Sequence, residues 1–260
     1  MTLIKHHFIG NNIDTLVCSP GGVATTSFMQ FIQQYRTINN PWDRDGLKHI
    51  DKPPVTNNKN LKAIYIYGDP FNLIISIFRR NYQEVHSRKL LMSYSNLAPI
   101  SEQESLDGYL EKGIDRLKLE KHFYNWKKSN SSYPVMMIKY EDMWNNLPQI
   151  FEYLEIPISE IEKFPKQRKR SANWKELSER NKKDLFQLYG ELYKDILESE
   201  NILITKSVNN SNSFIRQLYI YLIKLKANVF SGQEYLLGVL KERSFNKYQL
   251  MKKVVRSFQK

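Results

Sequence analysis

The chain predicts an α/β domain, a central parallel sheet flanked by helices, followed by a basic helical extension. Three observations carry that expectation. Strand-like apolar or β-branched runs recur at residues 13–19, 61–68 and 133–142, and each leads into a segment of helical periodicity. The first run ends in a glycine turn, Ser19-Pro20-Gly21-Gly22, and the second in Gly68-Asp69-Pro70. The positive charge is unevenly placed: residues 207–260 hold ten Lys or Arg against two Glu, eight of the twelve net charges.

The elements follow in order. IDTLVCS (13–19) reads as a buried strand, and TTSFMQFIQQYR places Phe28, Phe31, Ile32 and Tyr35 at helical spacing, with Thr25 or Thr26 able to cap the first turn. Residues 37–60 read as a loop with at most a brief strand near Leu47–Ile50. LKAIYIYG (61–68) is a β-branched and aromatic strand. Residues 72–91 read as one helix, 92–105 as a polar loop, and 105–128 as one long amphipathic helix despite Gly108 and Gly113. YPVMMIKYED (133–142) is a third strand, LPQIFEYLEI a helix, KFPKQRKRSANWKEL a basic loop, and NKKDLFQLYGELYKDIL a further helix. VNNSNS (208–213) reads as a linker, so the expected division is 1–206 for the α/β domain and 207–260 for the extension.

Composition narrows the class. With 260 residues, 41% hydrophobic and 25% charged, the chain can bury a core and needs no disorder or fibrous repeat. The single cysteine, Cys18, cannot form an internal disulfide, and the N-terminal residues lack a signal-peptide apolar core. A reducing, cytoplasmic setting is the expectation. No run approaches the length of a membrane span. A net charge of +12 favours an anionic partner. In the extension, Phe214, Leu218, Leu222, Leu225 and Val229 fall on one side of a helix with interspersed cations, so residues 214–230 suit either a membrane surface or docking on protein.

A strand that feeds a glycine loop into a helix gathers main-chain N–H groups and the positive end of a helix dipole at one point. Gly21, Gly22, Val23, Ala24, Thr25 and Thr26 form that segment. The glycines allow a phosphate to approach, Ala24 is small, and the threonine hydroxyls can donate to its oxygens. A nucleotide-triphosphatase loop needs a lysine before its Ser or Thr, and none stands between Ser19 and Ser27.

Three ordered segments resemble the sulfotransferases that use 3′-phosphoadenosine 5′-phosphosulfate. SPGGVATTSF is similar to their Pro-Lys-x-Gly-Thr-Thr loop, with one extra residue. YIYGDPFNLIISIFRRNY resembles their strand, Asp-Pro, then serine signature, with Asp69, Pro70 and Ser76 in register. MMIKYEDMWNNLPQIFEYLEI resembles their Tyr-Glu-Asp strand end and following helix. The resemblance spans about residues 13–200 and implies a P-loop-like fold, this donor, no metal, and a hydroxyl-bearing acceptor, a saccharide or small molecule. It implies that Gly21, Gly22, Thr25 and Thr26 hold the 5′-phosphosulfate and that Ser76 binds the 3′-phosphate. Nothing in it points to a specific nucleic acid.

Two cations of the family pattern are missing. The arginine before Asp-Pro is Gly68 here, and the loop lysine is absent. Arg79 and Arg80, one turn beyond Ser76, or Arg168, Lys169 and Arg170 before Trp174, would have to replace the first, and Lys48 the second. The family's base lies in a Lys-x-His stretch, and Lys48-His49 occupies the corresponding place before the second strand, making His49 the expected general base, with Asp45 or Asp51 as alternatives. His6, His7, His86 and His122 lack that neighbourhood. Loss of the two cations leaves a second possibility, a non-catalytic nucleotide- or anion-binding protein that keeps the fold.

Overall fold

The computed structural model describes residues 8–9, 12–91, 97–168, 171 and 173–205. The basic extension, including 214–230, lies outside them, as do Lys169 and Arg170.

The sheet has four strands in the order β1 (Thr15–Cys18), β2 (Lys62–Tyr67), β3 (Val135–Lys139), β4 (Ile202–Thr205). The first three are parallel, with Cys18 opposite Tyr65 and Tyr67 opposite Lys139. Every residue of β1 is buried and so are five of the six in β2, as expected of strands covered on both faces. Tyr65 and Tyr67, two apart on β2, share a face and pack on Trp126 and Phe123 of α5 (Leu119–Lys127). Two other helices close over Phe31: α1 (Thr25–Ile32) carries it, and α6 (Leu147–Leu154) supplies Phe151 at 5.7 Å between ring centres. Helix α7 (Glu179–Glu198) packs on α2 (Pro70–Arg79), where Tyr193 stacks on Phe71 at 4.5 Å.

The expected α/β architecture is present, with one correction: the sheet is not wholly parallel. β4 runs antiparallel to β3, pairing Ile202 with Ile138 and Thr205 with Val135. α7 delivers the chain directly to the sheet edge, where a short strand pairs without a crossover.

Two expected helices are each broken. Residues 72–91 divide into α2 and α3 (Gln83–Leu90) at Asn81, whose φ of 54° is left-handed. The Asn81 N–H bonds the Phe78 carbonyl and the Tyr82 N–H reaches back to Ile77, the paired bonds of a Schellman helix stop. The 105–128 helix divides into α4 (Leu106–Glu111) and α5, with Gly113 at φ 59° as the stop and Lys118 also left-handed. The short strand expected near Leu47–Ile50 is turn instead. A strand falls at Val55–Thr56, where the Thr56 hydroxyl donates to the Ile9 carbonyl at 2.6 Å.

α2 begins at Asp69-Pro70 for a local reason. The Asp69 carboxylate accepts from the Phe71 and Asn72 N–H groups at 2.9 and 3.2 Å, and proline fits the first helical position. Its second oxygen accepts from the Trp174 indole at 3.1 Å, while Asn72 accepts the Trp174 main-chain N–H. One carboxylate thereby caps α2 and holds the segment around Trp174 against it.

Candidate functional site: two cavities around the glycine loop

The loop from Ser19 to Ala24 joins β1 to α1 through three left-handed residues, Gly21 at φ 101°, Gly22 at 72° and Ala24 at 52°. Ala24 is the N-cap residue and makes no side-chain cap, so neither threonine caps α1 as expected. Ser19 organises the turn. Its hydroxyl oxygen accepts from the Gly21 N–H at 3.2 Å and from the Thr25 hydroxyl at 2.7 Å. Val23 points into the core and is fully buried, leaving only its main chain to the loop.

A cavity opens on each side. The larger, of about 640 Å³, is lined by Ser76, Arg79, Arg80 and Arg168, with Tyr140 and Trp144 as aromatic wall. The smaller, of about 410 Å³, is lined by Thr25, Thr26, Lys48, His49 and His86, with Trp42 and Tyr82 among its outer residues. Gly22, Ala24, Ser27 and Arg80 border both. The expected residues thus gather in two groups that meet at the loop: Ser76 and Arg168 on one side, Lys48 and His49 with Gly21, Thr25 and Thr26 on the other.

The larger cavity is cationic by construction. Arg80 donates from Nε to the Ser76 carbonyl at 2.9 Å and lies over the Tyr82 ring. Arg79 donates to the Ser171 hydroxyl, joining the end of α2 to the segment that carries Arg168. Gly68 lies at the end of β2, where a Cβ would stand 2.9 Å from Glu141 Oε2 and 3.3 Å from Tyr140 Cβ. A larger residue there must displace the Glu141 carboxylate, whose other oxygen accepts from the Asp69 N–H at 3.3 Å.

In the smaller cavity Lys48 is 7% exposed, and its ammonium donates to Thr26 Oγ1 at 2.5 Å and to the Pro41 carbonyl at 2.7 Å. Burial pulls its pKa down to about 8, against the attraction of Asp43. His49 Nδ1 lies 2.8 Å from the Ser19 carbonyl. A carbonyl only accepts, so Nδ1 carries the hydrogen and Nε2 is left with its lone pair. Burial pushes this imidazole down to about 3, partly opposed by the Ser19 bond, with Lys89 and Lys48 pressing the same way as burial. It is neutral at pH 7. Asp45, the alternative base, accepts the main-chain N–H groups of Asn40 and Leu47 at 2.6 and 3.2 Å; neither Asp45 nor Asp51 lines either cavity.

The sequence reading set His86 aside, and the structure corrects this. Its ring stands 4.9 Å from that of His49, at 74°. It also lies so close to Gly21 that a Cβ there would be 2.5 Å from His86 Cε1. The contact spans residues 21 and 86 and follows from the Asn81 turn, which no local pattern announces. His122, by contrast, is buried against β2, its Nδ1 2.9 Å from the Tyr65 hydroxyl.

Among the described residues no three His, Cys, Asp or Glu side chains converge as a metal site, and no helix is long and apolar enough to cross a membrane. No protein-family model matches the chain, and no curated protein does.

Proposed function

We propose that the protein is a sulfotransferase of P-loop-like fold that moves a sulfuryl group from 3′-phosphoadenosine 5′-phosphosulfate to an acceptor hydroxyl. The observation that carries this reading is the division of labour at the loop. Ser76, Arg79, Arg80 and Arg168 line one side, Lys48 and a tautomer-fixed His49 the other, and Gly22, Ala24 and Ser27 are common to both. That is the charge distribution a doubly phosphorylated adenosine with one reactive end requires. Two sets of side chains can stand in for the cations missing from the family pattern. Lys48 reaches the loop through Thr26, and the arginines of α2 and residue 168 line the same cavity as Ser76.

In the proposed reaction the larger cavity takes the adenosine and its 3′-phosphate, and the loop amides and Lys48 hold the phosphosulfate. His49 Nε2 receives the acceptor proton. The acceptor oxygen forms its bond to sulfur as the bond from sulfur to the 5′-phosphate oxygen breaks, and the electron pair departs with the phosphate. Lys48 and the N-terminus of α1 stabilise the charge that collects there. The polyanionic donor raises the His49 pKa from its low resting value towards the range in which an imidazole works as a base.

The test compares thermal stabilisation by 3′-phosphoadenosine 5′-phosphate with that by ATP and magnesium, and measures release of the bisphosphate from the donor by the wild type and His49→Ala. Preference for the bisphosphate, with turnover lost in the variant, is the expected outcome. A preference for ATP would overturn the donor assignment. Binding of the bisphosphate without turnover in the wild type would favour the second reading, a nucleotide-binding protein that keeps the fold, which Gly68 supports.

A further inference from the structure

The smaller cavity contains more than the proposed reaction has used. His86 is 8% exposed and borders the cavity, yet among the described residues its Nδ1 has no hydrogen-bond partner. That nitrogen is sealed against Gly21, where a Cβ would stand 2.9 Å from it, so a ligand in the cavity meets the ring through Nε2. It cannot serve as a cation there without opposition: burial holds it neutral, and His49, Lys89, Arg80 and Lys48 all face it and disfavour a further positive charge. A neutral imidazole still offers one N–H donor and one acceptor.

The same cavity also exposes large apolar side chains, beside the charged Arg80 and Lys89. Trp42 is 65% exposed, Tyr82 49% and Val85 51%, and all three line it. Large aromatic faces left in water singly are ordinary, but three apolar side chains bordering one cavity with two imidazoles at its floor form a selective site. Asp43 and Lys89, paired at 2.6 Å, add a polar flank, and Arg80, over the Tyr82 ring, makes it cationic. A volume of about 410 Å³ suits a molecule of one or two rings.

We infer that this cavity is the acceptor site and takes a hydroxylated ring, its face against Trp42 and Tyr82 and one hydroxyl held between His49 and His86. The inference rests on the proposed function, for it makes the ring the acceptor. His49 Nε2 accepts the hydroxyl proton, and the His86 Nε2–H donates to the same oxygen, leaving its remaining lone pair for sulfur. His86 is then a substrate-binding residue, and the Trp42 and Tyr82 faces select rings over linear alcohols.

The probe is phenyl β-D-glucopyranoside, which joins an aromatic to a hydroxylated ring, observed by saturation-transfer NMR on the full chain, with 1-hexanol as the linear comparison. The same samples are assayed for thermal stabilisation by 3′-phosphoadenosine 5′-phosphate. Expected are transfer to the glucoside and little to hexanol, loss of transfer in Trp42→Ala, a several-fold weakening in His86→Ala, and recovery in His86→Gln, which restores an N–H donor. Trp42 is exposed, so its variant keeps the test open if His86→Ala fails to fold. Absence of transfer in the wild type, or transfer equal to wild type in both Trp42→Ala and His86→Ala, overturns the ring site. If the bisphosphate stabilises the protein while the glucoside does not bind, the ring site fails and the donor reading stands. If the glucoside binds in the expected pattern and the bisphosphate has no effect, the donor reading fails, and a ring-binding cavity remains.

Discussion

Acidification should destabilise the domain well before its carboxylates titrate, because histidines are buried neutral. His49 is pushed down to about 3 and His122 to about 4, in both cases chiefly by burial, whereas an unfolded histidine titrates near 6.5. Between these values the unfolded chain binds protons that the folded chain refuses. Their contribution is therefore complete above about pH 6.5 and is lost as the pH falls. At pH 5.0 the unfolded imidazole lies about 1.5 pH units below its pKa, which costs about 2 kcal/mol for each of the two residues relative to pH 7.5. His86 shifts in the same direction and adds to the loss. Asp115, whose carboxyl burial raises, works in the opposite sense and is cancelled by comparing variants. Urea unfolding followed by tryptophan fluorescence at pH 7.5 and 5.0 should show the midpoint falling by about 1–2 M. In His49→Gln the stability lost between the two pH values should be smaller than in the wild type by about 2 kcal/mol. A midpoint constant across this window, or a His49→Gln variant with the full wild-type loss, would refute the buried neutral imidazole.

Three further outcomes follow from the geometry. Gly21→Ala places a Cβ at φ 101° and 2.5 Å from His86 Cε1, so it should lose at least about 1–3 kcal/mol in urea unfolding; pairing it with His86→Ala should relieve the clash and leave the backbone strain. Asp69→Ala removes the α2 cap and the acceptor for Trp174, which should cost about 1–2 kcal/mol and speed proteolytic cleavage between residues 165 and 177. On the proposed donor assignment, Arg168→Ala should weaken 3′-phosphoadenosine 5′-phosphate about tenfold, equivalent to about 1.4 kcal/mol, and leave adenosine 5′-monophosphate unchanged by calorimetry; equal losses for both would remove Arg168 from the proposed 3′-phosphate site.

What could be read in the sequence was local. β1, β2 and β3 are apolar runs ended by turn residues, and α2 starts where Asp-Pro says it should. The glycine loop and Lys48-His49 were found because each carries its chemistry within a few residues. β4 escaped because ILIT is three half-covered residues and one exposed, Ile204, and its partner, β3, lies over sixty positions earlier. The breaks at Asn81 and Gly113 lay inside patterns whose periodicity on either side matched a single helix. Asparagine and glycine are the residues that accept the left-handed stop, but they do so only where the tertiary path turns. His86 was invisible for the same reason: its neighbourhood is made by the turn at Asn81, five residues before it.

The contact between Gly21 and His86 changes how that glycine should be understood. In a strand-loop-helix unit, a glycine is ordinarily credited to the anion it admits. Here the absent side chain also makes room for an imidazole from another helix, so one hydrogen atom serves two surfaces of the protein at once. A redesign of the loop for another ligand, even one that kept every amide in place, would dislodge the ring on the far side of the wall.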